Sequence, residues 1–266
     1  MVQTLRTWKA IYYVHLLESL AYPANWIIWV LTDAVNCFAM PIVFAAASGG
    51  SSIQGFSRPD FFAYYLALLM ITSFVLCHLM WEIAWEVKEG TFSAQLVRPI
   101  SYYQWTFVRN LSWRLTRLMM TVPIALLMIL VYREHLSFAQ FHLVPEFWVA
   151  LVLGNMVSFS VAVAFGMIAL FLTEAQSVFE LYYVPMLFLS GVMFPIALLP
   201  PWAQNLAKVF PFFYTTGLPT EIVIGRISGG EAWAMILGQI IWIGLAYGFF
   251  RFAWAKGLKQ YSGVGM

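Results

Sequence analysis

Residues 81–101 read W-E-I-A-W-E-V-K-E-G-T-F-S-A-Q-L-V-R-P-I-S. The stretch separates two long apolar runs and carries Glu82, Glu86, Lys88, Glu89 and Arg98, so it cannot lie in lipid. Gly90 and Pro99 punctuate it and predict a helix, a break, a short second helix and a stop. A polar segment of this shape, tethered at both ends to apolar runs, suits a lever between a soluble partner and the bilayer. A solvated loop between two spans fits the same pattern.

The rest of the composition places those apolar runs in a membrane. Of 266 residues, 62% are hydrophobic and 10% charged, against about 25% charged residues in soluble domains. Mean hydropathy is +0.80. The expected fold class is therefore all-α, a polytopic membrane protein. A net charge of +2 says nothing by itself about nucleic acid, because the cations must be read by position; no nucleic-acid partner is expected of such a membrane protein. The N-terminus lacks the short apolar core and cleavage site of a signal peptide and is expected to be retained. Cys37 and Cys77 fall in different spans at different depths, which argues against a disulfide or metal site.

Hydropathy predicts six spans, at 25–47, 61–81, 112–132, 147–172, 179–199 and 232–254. Residues 1–24 precede them as an interfacial helix, with Leu5, Trp8, Tyr12, His15 and Leu16 at helical spacing among Arg6, Lys9 and Glu18. The first span holds Asp33, on a stripe with Asn25, Thr32 and Asn36. A carboxylate at that depth costs on the order of 3 kcal/mol and must face protein or water. It lines a translocation route or subunit interface, or it is satisfied by neighbouring helices.

Arg109, Arg114 and Arg117 stand at the entrance to the third span, where their stems can snorkel to the headgroups. Small residues of the fourth span, Gly154, Asn155, Ser158, Ala162 and Gly166, form a face for close helix packing. Residues 200–226 are rich in proline yet apolar, with Trp202, Leu206, Val209 and Phe210 at helical offsets. A straight helix cannot carry that pattern. Two short helices re-entering the outer half of the bilayer between the fifth and sixth spans can. His78, His135 and His142 are not spaced as metal ligands.

Three runs share one likeness. E-G-T-F-S-A-Q-L-V-R-P-I-S at 89–101, P-I-A-L-L-P-P-W-A-Q-N-L-A-K-V-F-P-F-F-Y from 195, and the closing K-G-L-K-Q-Y-S-G-V-G resemble segments of ABC-2-type permeases, the membrane subunits of one class of ATP-driven exporter. The resemblance implies that 82–101 is a coupling segment whose helix docks on an ATPase subunit. Glu86, Lys88, Glu89, Gly90, Thr91, Phe92, Gln95, Leu96 and Arg98 are then the contact residues. It further implies two ATPase copies, a second permease copy or a similar subunit, and membrane lipids as partners. The gap between the two permeases' first and fifth spans becomes the route. Asn25, Trp29, Asp33, Asn36, Met40, Tyr182, Tyr183, Met186 and Met193 are its candidate lining, suited to an amphiphilic, lipid-like or drug-like cargo. Core packing accounts for the same aromatic and methionine residues.

Cations favour one orientation. With the N-terminus inside, Arg6, Lys9, Lys88, Arg98, Arg109, Arg114, Arg117, Arg251, Lys256 and Lys259 fall on the cytoplasmic side, against Arg58, Arg133, Lys208 and Arg226 outside. Both termini are thus expected in the cytoplasm of a bacterial cell, with the chain in the inner membrane. No G-x-x-x-x-G-K-[ST] loop, G-x-S-x-G elbow or H-E-x-x-H pair occurs. The chain is expected to hold no cofactor and to be no enzyme, with ATP and Mg bound by a separate ATPase. An ion-coupled carrier or channel using Asp33 is the alternative, and a lipid-modifying membrane enzyme a weaker third.

Overall fold

The structure, a computed structural model, describes residues 2–21, 23–136, 138–172 and 174–261, and their side chains except those of residues 2–5, 23–26, 29 and 138. The chain is all-helical, and among the described residues the only β pairing is an isolated bridge between Ile53 and Phe56. Its helices are α1 (Val2–Ala21), α2 (Pro23–Ala47), α3 (Arg58–Val75), α4 (Leu79–Lys88), α5 (Phe92–Leu96), α6 (Tyr102–Val131), α7 (Pro145–Gly166), α8 (Gln176–Leu189), α9 (Pro201–Val209), α10 (Leu218–Val223) and α11 (Gly229–Gly257).

Among the described residues, five stretches are long and apolar enough to cross a bilayer: Val30–Ala47, Arg58–Lys88, Tyr102–Val131, Pro145–Leu170 and Gly229–Gly257. The fifth predicted span, 179–199, is not among them. Its helix, α8, has 14 residues, about 21 Å at 1.5 Å per residue, against a hydrocarbon core of about 30 Å. Gly191 ends it. With φ +83 it turns the chain left-handed, and a Cβ there would stand 2.6 Å from the Tyr64 hydroxyl. The chain then continues through an apolar turn and a single 3-10 turn at Ile196–Leu198. Four carbonyls in a row at this turn accept side-chain hydrogen bonds. Ser190 O accepts from Thr216 at 3.0 Å, Gly191 O from Tyr64 at 2.6 Å, Val192 O from Asn36 at 3.2 Å and Met193 O from Tyr65 at 2.9 Å.

α3 is the central element, with Phe61, Tyr64, Tyr65 and Leu69 fully buried. It opens on a capping arrangement in which the Asp60 carboxylate accepts from the Ser57 N–H at 2.8 Å and the Ser57 hydroxyl at 2.6 Å. α2 and α6 pack on one side of it through Phe44, Phe61, Tyr65, Ala125 and Met128. α7 and α10 pack on the other, with α11 behind them against α7. α1 lies along α6, burying Ile11, His15 and Ser19 at successive helical turns. The Ser112 hydroxyl donates to Tyr12 O at 3.1 Å, and the Ser19 and Thr116 hydroxyls are 2.8 Å apart. Its Tyr13, Val14, Leu17 and Leu20 stay exposed.

The small face of α7 does bring helices close. At Gly154 a Cβ would stand 2.5 Å from the Thr215 carbonyl oxygen, and at Gly166 2.7 Å from Ile83 Cδ1. Thr215 sits in a π-helical turn, Phe213–Gly217, which with α9 and α10 forms the proline-rich 200–226 region as short helices. Backbone cannot yield as a flexible side chain does. Gly154→Ala should therefore lower stability by about 1–3 kcal/mol, read as an earlier thermal unfolding in detergent than that of Gly244→Ala, whose site has open space.

Candidate coupling segment and the polar face beneath it

The segment 82–101 folds as its punctuation predicts. α4 ends at Lys88, Gly90 takes φ +75, α5 makes one short turn, and the chain leaves through Pro99 into α6. Its residues divide into two sets. Lys88, Glu89, Thr91, Leu96 and Arg98 are exposed, as is the neighbouring Val97 at 84%. Gly90 and Gln95 are partly covered. Phe92 and Glu86, expected at the outer surface, point inward instead. Phe92 is fully buried in a box of rings, 5.1 Å from Tyr102, 5.3 Å from Tyr261 and 5.9 Å from Trp254 between centroids. Tyr102 and Trp254 stack at 5.4 Å, and the Tyr261 and Ser93 hydroxyls are 3.0 Å apart. α5 is thereby seated on α6 and on the end of α11. Arg98 also folds back, its guanidinium 3.9 Å above the Trp105 ring.

Glu86 is spent inside the protein. Its carboxylate pairs with Arg109 and accepts a hydrogen bond from the Tyr102 hydroxyl at 2.9 Å. Arg109 is one of three cations on α6 whose expected role needs correction. Arg109, Arg114 and Arg117 are 7%, 4% and 4% exposed, so they do not snorkel to headgroups. Arg114 donates to the Leu76 carbonyl, and Arg117 pairs with Asp33. With each of these cations paired inside the protein, α6 begins at Tyr102, ten residues before the predicted start of the third span at 112. Thr106, Asn110, Ser112, Thr116 and Thr121 share its buried face, while Leu111, Leu115, Met119, Leu126 and Leu130 are exposed. The helix is polar inside and apolar outside.

Asp33 is thus satisfied by a neighbouring helix. Tyr183 lies within electrostatic reach of both Asp33 and Arg117 and stacks edge-on with Trp81 at 5.4 Å. Asn36 reaches the 190–193 turn, so Asp33, Asn36, Tyr183 and the backbone around Met193 do converge. Tyr182 and Met186 do not join them. Tyr182 meets Phe165 and Phe212 at 4.6 and 5.2 Å, and Met186 is buried in the core beside α3 and α7. Met40 packs against the α2, α3 and α6 core, and the side chains of Asn25 and Trp29 lie outside the described set.

Sequence reasoning missed the aromatic partners Tyr102, Trp254 and Tyr261 and the carbonyl-binding role of Arg114. Arginine and asparagine inside apolar runs were the available signal for the latter.

A family model for the ABC-2 family transporter protein matches residues 20–265. The chain belongs to the ABC-2 transporter family. A search of curated proteins found no match. The permease is therefore a multi-pass membrane component of an ABC transporter, a family that works with an ABC ATPase and is itself generally not catalytic.

On the opposite end of the permease from α5, Glu221 of α10 is buried and paired with Arg226 at 3.2 Å. Arg226 in turn lies 4.1 Å over Phe56 and donates to the Gly55 carbonyl at 3.3 Å.

Removing the partner of a buried ion costs about 3–5 kcal/mol. Arg117→Leu, which strands Asp33, should destabilise the permease by about that much, and Asp33→Asn combined with Arg117→Leu should recover a large part of it. Chemical unfolding in detergent gives both values.

Proposed function

We propose that the permease is the membrane-spanning subunit of an ATP-driven exporter that moves an amphiphilic, lipid-like or drug-like substrate out of the cytoplasm or inner leaflet. It works as a pair, with an identical or similar permease, on two ATPase subunits. The observation that carries this reading is the division within 82–101. Lys88, Glu89, Thr91, Leu96, Val97 and Arg98 form an exposed rim, and Phe92 and Glu86 fasten that rim to α6 and α11. A rim that presses on a partner must be rigidly backed, otherwise force is lost in side-chain motion.

In this reading the inner membrane of a bacterium holds six spans, with α8 and the turn after it together forming the fifth. Both termini and α5 lie in the cytoplasm, and α9 with α10 lies in the outer leaflet. The cation count supports that orientation. ATP and Mg belong to the ATPase. Asp33, Asn36, Tyr183 and Met193, from the first and fifth spans, border the route between the paired permeases. Ion-coupled transport through Asp33 is disfavoured, because Arg117 already occupies the carboxylate that would have to load the ion.

Loss of one central contact residue costs an interface about 2 kcal/mol, roughly thirtyfold in affinity. Leu96→Asp and Arg98→Glu should weaken binding of the purified ATPase by about that factor and stop ATP-driven transport in vesicles, with insertion unchanged. Wild-type transport and binding in both variants would sink the rim as the docking surface.

A further inference from the structure

The second span is two helices. α3 ends at Val75 and α4 begins at Leu79, with Leu76 in extended backbone (φ −67, ψ 128) and His78 at φ −109, ψ 21. Residues 74–79 are F-V-L-C-H-L, without glycine or proline, so the chain has no local reason to break. In an uninterrupted helix, the carbonyls of residues 74, 75 and 76 would accept from the N–H groups of 78, 79 and 80. Here other helices supply donors. Asn155 Nδ2 of α7 donates to Phe74 O at 3.0 Å and to Val75 O at 3.3 Å, and Arg114 of α6 donates to Leu76 O. The Cys77 N–H donates to Ser158 Oγ of α7 at 2.9 Å. Broken backbone at membrane depth persists only where protein groups satisfy it, and these three side chains do so.

The two halves are held differently. α3 is tied by hydroxyl bonds to the 190–193 turn and by the Ser73 and Thr121 hydroxyls, 2.8 Å apart. α4 is tied to the cytoplasmic ends of its neighbours, through Glu86 to Arg109 and through Ile83 to Gly166. A continuous helix would drive a push on α5 straight into α3.

We infer that Arg114, Asn155 and Ser158 are positioning residues that hold the second span broken, and that residues 76–78 are the pivot on which α4 and α5 turn while α3 stays in place. The inference rests on the exporter reading above. A side-chain amide or guanidinium N–H can follow a carbonyl through a small rotation, so the break can flex without exposing an unpaired backbone group to lipid.

Pulsed electron spin resonance on the permease with its ATPase, in lipid nanodiscs, tests this. With Cys37 and Cys77 replaced by alanine, spin labels go at Leu237→Cys paired with either Trp85→Cys, an exposed position of α4 outside the rim, or Arg58→Cys. Trapping the ATPase with vanadate and Mg-ATP should shift the 85–237 distance and leave the 58–237 distance unchanged. Shifts in both pairs would mean that α3 and α4 move as one rod, and would overturn the pivot while leaving the exporter reading intact. No shift in either pair despite trapped nucleotide would overturn the pivot too. Absence of ATP hydrolysis in the purified assembly would instead count against the exporter reading itself.

Arg114→Met should cut both the trapped shift and transport roughly tenfold or more, with ATPase binding retained. Arg114→Lys, which keeps a donor for Leu76 O, should restore most of both. A normal trapped shift in Arg114→Met would refute the positioning role.

Discussion

Hydrocarbon solvates a guanidinium so poorly that every arginine within a span dictates what must stand beside it. α6 carries three on one face, and each is met by a different part of the chain. Glu86 comes from α4, the Leu76 carbonyl from the break after α3, and Asp33 from α2. These pairings fix where α2, α3 and α4 pass α6 more tightly than apolar packing could, because apolar surfaces slide past one another at little cost in lipid. Remove one acceptor and a buried cation is stranded, so the three contacts hold or fail together with the placement of their helices.

The same requirement shapes the end of the molecule that carries α5. Glu86 is about one helical turn from the exposed 88–98 rim, and its pairing with Arg109 and Tyr102 links α4 to the start of α6. Phe92 adds a second attachment, to Trp254 and Tyr261 at the end of α11. α11 is a proline-free helix of 29 residues, about 43 Å long at 1.5 Å per residue. Two-thirds of the way toward its N-terminal end, Gln239 donates to the carbonyls of Ala150 and Tyr214, both at 2.9 Å. The 82–101 segment is consequently linked to α7 and to the π-helical turn through one helix. Sequence reasoning assigned the lever only to the spans on either side of it.

Much of this architecture was legible in the sequence, and the failures have a common cause. Hydropathy located the long helices because burial in lipid is a property of composition over about 20 residues. Gly90 and Pro99 bounded α5, and the prolines between 195 and 219 announced short helices, because both act on their own backbone. The Asp33 stripe was legible as a cost without being legible as a pair. Arg117 lies 84 positions away, and snorkelling was the only local escape that could be written for it. Phe92 likewise reads as an exposed residue of a polar segment until Trp254 and Tyr261, more than 160 residues later, close over it. The fifth predicted span overran α8 because hydropathy registers the apolar turn after Gly191 as readily as a helix.

The break at 76–78 and the turn at 190–193 obey one rule. At each, helical pairing lapses within the packed protein, and carbonyls that would have faced a donor four residues on are left open. At the turn, Thr216, Tyr64, Asn36 and Tyr65 take up four successive carbonyls; at the break, Asn155 and Arg114 take up three. The donors come from α2, α3, the π-helical turn, α6 and α7, so no single helix supports either site. The buried Tyr64, Tyr65, Asn155 and Arg114 side chains are accounted for by these open carbonyls, each donor answering a named acceptor. A backbone break in this membrane protein is therefore a point where sequence-distant polar side chains are compelled to meet, and such breaks are set by the tertiary structure around them even where, as in F-V-L-C-H-L, the local residues would extend the helix.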